Sequence, residues 1–156
     1  MEIGSLSSEE HPPAFSFALI SDHFHPWTDR QGQSPFVWSV IGAIANATTN
    51  LRLGTGMTCP TTRVHPPVVA QSAATCAMLM PGRFFLGVGT GENLNEHVLG
   101  DRWPSHEERT EMLEEAVAVI RRLWEGGLVS QAGDRHPRPG PDRRGGRLRP
   151  RRRPPP

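Results

Sequence analysis

Residues 15–27 read FSFALISDHFHPW, and this stretch decides the fold. Its first seven residues are an apolar run bounded by polar residues, which is typical of a fully buried parallel β-strand. The run ends in functional side chains, which are Asp22, His23, His25 and Trp27. In α/β folds the chemistry lies just past the carboxyl ends of such strands, because the scaffold there is rigid and the loop is free to vary. We therefore expect a site at the end of this strand.

A second cluster of the same kind follows the apolar run 84–88. Residues 89–95 read GTGENLN, and their glycines allow a ligand to approach the backbone closely. Glu92 and Asn95 supply a proton carrier and an amide, although a tight turn with a surface glutamate explains the pattern as well. The run is not a dinucleotide-binding fingerprint, because the third glycine of G-x-G-x-x-G would fall at position 92, which is Glu.

Helices and strands alternate along the rest of the ordered sequence. The pattern predicts helices over 36–48 and 68–80, strands over 51–55 and 83–88, and a long amphipathic helix that begins at Ser105 and ends at Gly126. Ser34 and Pro35 are the expected start of the first helix, and Pro66 opens the second. This alternation indicates a parallel α/β architecture. A complete (β/α)8 barrel needs about 250 residues, so this chain supplies at most half of one.

The amino-terminal residues leave two interpretations open. Residues 1–6 have the pattern of a short strand, but only residues 7–14 separate them from the strand that opens at Phe15. A parallel crossover needs a dozen or more residues. Either residues 1–6 are not part of the sheet, or the first crossover helix of the barrel is missing.

The charge distribution divides the chain in two. The first 133 residues carry eight arginines and fourteen acidic residues, a net charge of −6, whereas the rest carry nine arginines and two acidic residues, a net charge of +7. We predict a partial barrel domain over 1–130 and a disordered Arg/Pro/Gly-rich tail over 131–156, which has too few apolar residues to fold. We hypothesise that this tail is an out-of-frame translation of GC-rich DNA. An alternative non-enzymatic role, weak and non-specific binding of nucleic acid, would depend on the same arginines.

Several classes of protein are excluded by what the sequence lacks. No apolar run approaches the roughly 18 residues of a membrane span, and residues 1–10 do not form a secretory leader. Cys59 and Cys76 form no CxxC pair, so neither a disulfide framework nor a structural zinc site is indicated. A cytoplasmic protein is the default expectation.

His23 is the sharpest candidate for catalysis, because histidine exchanges protons near neutral pH. Asp22 beside it could orient the ring or hold a ligand hydroxyl, while Trp27 could be a pocket wall or part of the core. Gly56 and Met57 are typical of a bulge next to a ligand, although a plain loop explains them too. A second enzyme class is a metal-dependent barrel hydrolase in which His23 and His25 bind zinc; it needs further ligands that the sequence does not reveal.

Three motifs together resemble a known family. They are SDHFHPW at 21–27, LRLGTGMTCPTTRVHPPVVAQ at 51–71 and GRFFLGVGTGENLNE at 82–96. In this order and spacing they resemble the luciferase-like flavin and deazaflavin oxidoreductases. The likeness is greatest to the branch that uses coenzyme F420, which includes F420-dependent glucose-6-phosphate dehydrogenases. It runs from Phe15 to about Gly127, and the sequence after about Ser130 is unlike the family.

The resemblance implies a (β/α)8 barrel in which a bulge with a non-prolyl cis peptide supports the deazaflavin ring. It implies catalytic roles for three residues. His23 would take the substrate's hydroxyl proton, Trp27 would stabilise developing charge, and Glu92 would protonate the ring. The residues implied in cofactor binding are Asp22, Gly56, Met57, Cys59, Gly91 and Asn95, with Cys59 where the dehydrogenases usually carry threonine. No metal is implied.

The reaction implied is hydride transfer between an alcohol, such as a sugar phosphate, and coenzyme F420, with FMN as the second choice of cofactor. The expected partners are a small-molecule substrate and a second copy of the chain, since the family forms homodimers; no membrane and no specific nucleic acid is expected. Because the chain holds no lysine, it cannot supply a lysine to grip a phosphate. The chain is predicted to be a partial or inactive copy of the enzyme.

Overall fold

The computed structural model describes residues 15–126, which form a three-stranded parallel sheet with helices packed against it. The strands are β1 (Phe17–Ile20), β2 (Arg52–Thr55) and β3 (Phe84–Phe85), in the spatial order β1-β2-β3. The helices are α1 (Val37–Ala47), α2 (Pro66–Leu79), α3 (Asn93–Glu96) and α4 (His106–Glu125), with 3-10 turns at Asp29–Gln31 and His97–Leu99. The parallel α/β architecture expected from the sequence is confirmed.

The strands pair in a register that brings their carboxyl ends to one edge. Ile20 lies opposite Thr55, and Gly54 lies opposite Phe85. β3 is shorter than predicted, because the Thr55 hydroxyl replaces the backbone ladder there: it donates to the Gly87 carbonyl (2.8 Å) and accepts from the Gly87 N–H (3.1 Å). A parallel bridge between Thr58 and Val88 continues the pairing of these two segments beyond the carboxyl ends of β2 and β3.

The helix starts follow the expected rules at α2 and α4 but not at α1. α2 begins at Pro66, and α4 begins after Ser105, which forms a capping box with Glu108. Ser34 was expected to cap α1, but this expectation is wrong: α1 begins after Phe36 without a side-chain cap. The Ser34 hydroxyl instead donates to the His23 carbonyl at 2.7 Å, so it holds the first loop of the site.

The hydrophobic core lies between the sheet and the helices. Ile41, Val69 and Met80 are completely buried there, and Ile120 of α4 joins them. In β1 only Ala18 and Ile20 face this core.

The prediction of a fully buried first strand is therefore wrong. Phe17 and Leu19 are 51% and 58% exposed on the opposite face of the sheet. Successive side chains of a strand point to opposite faces, and in the described residues helices cover only one face.

The amino- and carboxyl-terminal predictions lie outside the described residues. These are the strand over 1–6, the missing first crossover helix, the domain boundary at 130 and the disordered, out-of-frame tail over 131–156. Within residues 15–126, no helix is both long and apolar enough to cross a membrane.

Candidate active site

The loops that follow β1, β2 and β3 enclose one cleft of about 210 Å³. Parallel strands present their carboxyl ends at the same edge, so the loops converge although they are distant in sequence. The nine residues that the resemblance implied in catalysis or cofactor binding all line this cleft: Asp22, His23, Trp27, Gly56, Met57, Cys59, Gly91, Glu92 and Asn95. His25 does not line it. The imidazole-bearing loop and the glutamate-bearing loop therefore share one rim of the sheet.

The first loop is held by bonds to its backbone. The Asn95 carbonyl oxygen Oδ1 accepts the N–H groups of Phe24 (2.9 Å) and His25 (3.0 Å). With the Ser34 bond to the His23 carbonyl, these contacts fix the backbone that directly follows the His23 side chain. The His23 ring meets the edge of Trp27 with 5.4 Å between ring centroids. Since Trp27 is 56% exposed, it is a wall of the cleft and not part of the core.

The second loop places Met57 against the cleft. The Gly56–Met57 peptide bond is cis, as the resemblance implied. The Met57 side chain is exposed but lies over Gly89, where an added Cβ would come within 2.7 Å of its terminal methyl carbon. A side chain at this position would therefore displace the end of Met57 from the cleft.

The third loop turns at Gly91, which has a φ of +77°. Glu92 follows and immediately precedes α3, but its side chain makes no capping bond to that helix. Glu92 is exposed and lines the same cleft as His23. The turn expected as the alternative is present, and Glu92 lines the cleft as well.

A buried ionic cluster beneath the cleft was not foreseen. Arg63 Nη2 lies 2.8 Å from Asp22 Oδ1, and the Arg63 N–H donates to Glu96 Oε2 at 2.8 Å. Arg63 and Glu96 both stand inside the family-like motifs, but 33 positions separate them, and nothing in a single sequence shows that they meet.

Burial raises the pKa of Glu96, and the Arg63 N–H and guanidinium oppose that shift while the Asp22 charge adds to it. The side chains of Asp22 and Glu96 are only 1% and 2% exposed, so this cluster is desolvated.

Cys59 places a thiol against the cleft. Its Sγ lies 3.1 Å from the Thr61 hydroxyl, and burial raises the pKa of the thiol. The group therefore stays neutral at neutral pH and offers only a weak hydrogen bond.

Three buried polar atoms of the cleft residues have no partner within the described residues. They are Asp22 Oδ2, Thr58 Oγ1 and Asn95 Nδ2. Buried polar atoms are almost always hydrogen-bonded, so unpaired ones around a cleft indicate a ligand with matching groups. An acceptor, a hydroxyl and an amide donor fit a ligand that carries both hydrogen-bond donors and acceptors. Thr58 was not singled out from the sequence.

His25 does not join His23 in a metal site. Its ring stacks near His97 with 6.0 Å between centroids, whereas His23 contacts Trp27. Among the residues that the structure describes, no group of three or more His, Cys, Asp or Glu could hold a metal ion. The zinc hydrolase alternative gains no support from this part of the chain.

His23 and Trp27 also border a second cleft of about 220 Å³. Its other walls include Gln31, Gln33 and Ser34, which are polar but uncharged. His23 and Trp27 thus lie between two clefts.

Comparison with known proteins gives consistent results. The sequence profile described as luciferase-like monooxygenase matches residues 13–156, which includes the carboxyl-terminal segment that sequence reasoning placed outside the family. An F420-dependent hydroxymycolic acid dehydrogenase of Mycobacterium tuberculosis is 45% identical over 119 residues, which are 76% of this chain and 33% of that protein. An F420-dependent glucose-6-phosphate dehydrogenase of Rhodococcus jostii is 45% identical over 136 residues, 86% of this chain and 40% of that one.

Solved structures agree. An F420-dependent secondary alcohol dehydrogenase in complex with an F420-acetone adduct superposes with a TM-score of 0.74 at 42% identity, covering 78% of this chain and 37% of that one. An F420-dependent tetrahydromethanopterin reductase from Methanopyrus kandleri gives a TM-score of 0.62 at 28% identity, covering 76% and 35%. The fold is accordingly the amino-terminal portion of a (β/α)8 barrel, and the chain spans between a third and two fifths of the length of these curated relatives.

Proposed function

The chain belongs to the luciferase-like monooxygenase family, and from that premise we propose that it is an F420-dependent oxidoreductase acting on an alcohol. The observation that carries the proposal is the convergence of His23, Trp27 and Glu92 on one cleft that also holds unpaired polar atoms. The F420-dependent relatives support the choice of cofactor, and FMN is the second candidate.

The cleft residues would hold the cofactor by its ring. When bound, F420 supplies a two-electron carrier that accepts or gives a hydride. Asp22 Oδ2 would accept from an N–H or hydroxyl of the cofactor, and Asn95 Nδ2 would donate to a carbonyl oxygen. The Gly56–Met57 segment and Gly91 would support the ring, and Cys59 would lie beside it.

Two residues of this chain would move the protons of the reaction. In the direction of alcohol oxidation, the substrate carbon loses a hydride and its hydroxyl loses a proton, which leaves a carbonyl group. A ring nitrogen of His23 would accept the hydroxyl proton. The Glu92 carboxyl would supply the proton that balances hydride uptake by the ring. Trp27 would stabilise charge that develops at the substrate oxygen, beside His23.

The substrate class is an alcohol with a hydroxyl that reaches His23. The second cleft beside His23 and Trp27 combines Gln31 and Gln33 with apolar residues such as Ile20, and among the described residues no arginine or carboxylate lines it, which suits a neutral alcohol. Pairing into a homodimer and a cytoplasmic location are parts of the same proposal. Sedimentation velocity measures the oligomeric state.

Titration of the purified chain with F420, followed by deazaflavin fluorescence, tests the proposal directly. We expect saturable binding, whereas absence of binding would make the chain an inactive copy of a larger enzyme. The His23→Asn variant should retain F420 affinity within about twofold but lose 100-fold or more of its alcohol oxidation, because a general base contributes about 10²–10⁴-fold.

His106→Asn, an exposed histidine in the first turn of α4, is the matched control and should behave as the parent chain. Unchanged turnover in His23→Asn would rule out the imidazole as the base.

A further inference from the structure

Arg63 lies between β2 and α2 and contacts both of the other loops of the cleft. Its Nη2 donates to the Asp22 carbonyl (3.1 Å) and to Asp22 Oδ1 (2.8 Å). Its backbone N–H donates to Glu96 Oε2 at 2.8 Å, and its Nε lies 3.8 Å from Glu96 Oε1. Arg63 thus contacts Asp22, which precedes it by 41 residues, and Glu96, which follows it by 33 residues.

We propose that Arg63 is a positioning residue for the hydride-transfer site. It clamps the His23 loop to the Glu92 loop through Asp22 and Glu96. The inference rests on the proposed function for the reaction it serves, but the clamp itself is a property of the chain without cofactor. Asp22 is adjacent to His23 in the sequence, and Glu96 lies one helical turn after Glu92. A shift of either carboxylate therefore moves a residue that would carry a proton.

Asn95 makes a second link between the same two loops, through the Phe24 and His25 N–H groups. Asn95 is next to Glu96, which the Arg63 backbone N–H contacts at 2.8 Å and the Arg63 guanidinium faces across 3.8 Å, so the charge of the side chain also bears on the position of Asn95. The planar guanidinium suits this task, because in its fork of N–H groups Nη2 donates to Asp22 while Nε lies 3.8 Å from Glu96 Oε1. The single nitrogen of a lysine cannot span both carboxylates in this way.

The positive charge of Arg63 compensates the two buried carboxylates that it contacts. The side chains of Arg63, Asp22 and Glu96 are 10%, 1% and 2% exposed. The charged and titratable groups that face Glu96 are Arg63, Asp22 and the Cys59 thiol. Without Arg63, two buried carboxylates would face each other without a cation, and one would have to take up a proton or turn towards solvent.

The first test uses the chain without cofactor. Hydrogen exchange of the Phe24 and His25 amides, measured by NMR as protection factors, reports whether Asn95 still holds the first loop. We expect Arg63→Met to lower these protection factors by about tenfold or more at pH 7 and to recover part of them at pH 5, where a proton replaces the lost cation. Arg52→Met, an exposed arginine at the start of β2, is the matched control and should leave them unchanged.

The double variant Arg63→Met/Glu96→Gln distinguishes charge clamping from simple packing. Neutralising Glu96 removes the repulsion that Arg63→Met creates, so protection at pH 7 should rise towards the parent value. Arg63→Lys, which keeps the charge but not the fork, should lie between the parent and Arg63→Met. Equal loss in all three Arg63 variants at both pH values would overturn the proposal, because only packing would then be affected.

The second test adds F420. The dissociation constant should increase about tenfold or more in Arg63→Met at pH 7 and improve in the double variant and at pH 5. If the parent chain fails to bind F420 while the amide protection responds as expected, the proposed function fails and the clamp stands. If F420 binds equally well to Arg63→Met and its amides stay protected, the clamp is wrong and the proposed function stands.

Discussion

At the scale of single residues, the site combines polar atoms that are paired with polar atoms that are left for a ligand. Asp22 uses Oδ1 for Arg63 and leaves Oδ2 unpaired, and Asn95 uses Oδ1 for the first loop and leaves Nδ2 unpaired. Each side chain therefore pairs one atom within the fold and leaves its other polar atom buried without a partner, at a residue that lines the cleft. Substitutions here affect stability and binding together.

Glu96 should make the protein less stable as the pH rises. Burial raises its pKa in the folded state above its usual value, so the folded state binds more protons than the unfolded state between the two values. The stabilisation is complete below the unfolded pKa and is lost as the pH rises through the folded pKa. Urea unfolding from pH 4 to pH 8 should show this decline, and Glu96→Gln should flatten it. An identical slope in both proteins would contradict the raised pKa.

Both cysteines should resist alkylation while the protein is folded. Cys59 and Cys76 are 5% and 3% exposed, and burial raises the pKa of each thiol, so little reactive thiolate is present. Iodoacetamide at pH 8, followed by mass spectrometry, should label neither residue in the folded chain and both in urea. Rapid labelling of Cys59 without denaturant would show that the cleft is more open than the structure indicates.

At the scale of elements, the loops after the strands depend on glycine at the points where they approach one another. Gly91 combines a left-handed φ of +77° with an added Cβ that would lie 2.6 Å from Cys59 Sγ. Gly82, after α2, has a similar φ of +68° but open space around it. The two positions therefore share a backbone requirement and differ in packing.

Gly91→Ala should destabilise the fold more than Gly82→Ala. Both substitutions carry a backbone cost of about 1–2 kcal/mol in this conformation, and overpacking at Gly91 should add about 1–3 kcal/mol. The difference in free energy of unfolding, measured with urea, isolates the contact with Cys59. Equal losses of unfolding free energy in the two variants would mean that the third loop shifts to accommodate the added methyl group without a packing penalty.

At the scale of the whole molecule, the described residues bury one face of the sheet and leave the other exposed. Ile41 of α1 is fully buried against the sheet, whereas Leu19 of β1 is 58% exposed on the opposite face. The stability of residues 15–126 must therefore come mainly from the layer between sheet and helices.

Ile41→Ala should reduce the free energy of unfolding by about 2–5 kcal/mol, as large-to-small substitutions in a core do. Leu19→Ala should cost about 1 kcal/mol or less, because most of that side chain is already in water. Urea denaturation of the two variants gives the comparison. A larger loss for Leu19→Ala would show that something covers that face in solution.

The sequence by itself determined the parallel α/β class and the order of the described elements, and its resemblance to a family implied nine of the residues that line the cleft. The class and the element order could be predicted because hydrophobic periodicity and the positions of proline and glycine are local signals. The roles of the nine residues rest on the resemblance and stay predictions. The parallel arrangement then brings the strand ends together without any further information.

Only the tertiary structure decided which face of β1 is buried, that Ser34 holds the His23 loop, and that Arg63 joins Asp22 to Glu96. Burial depends on which helices cover a face, and a strand of alternating apolar residues does not reveal whether one face or both are covered. In the ionic cluster, Arg63 is separated by 33 positions from Glu96 and by 41 positions from Asp22. Such a contact is stable only where the packed loops exclude water, and that environment exists only once the chain has folded.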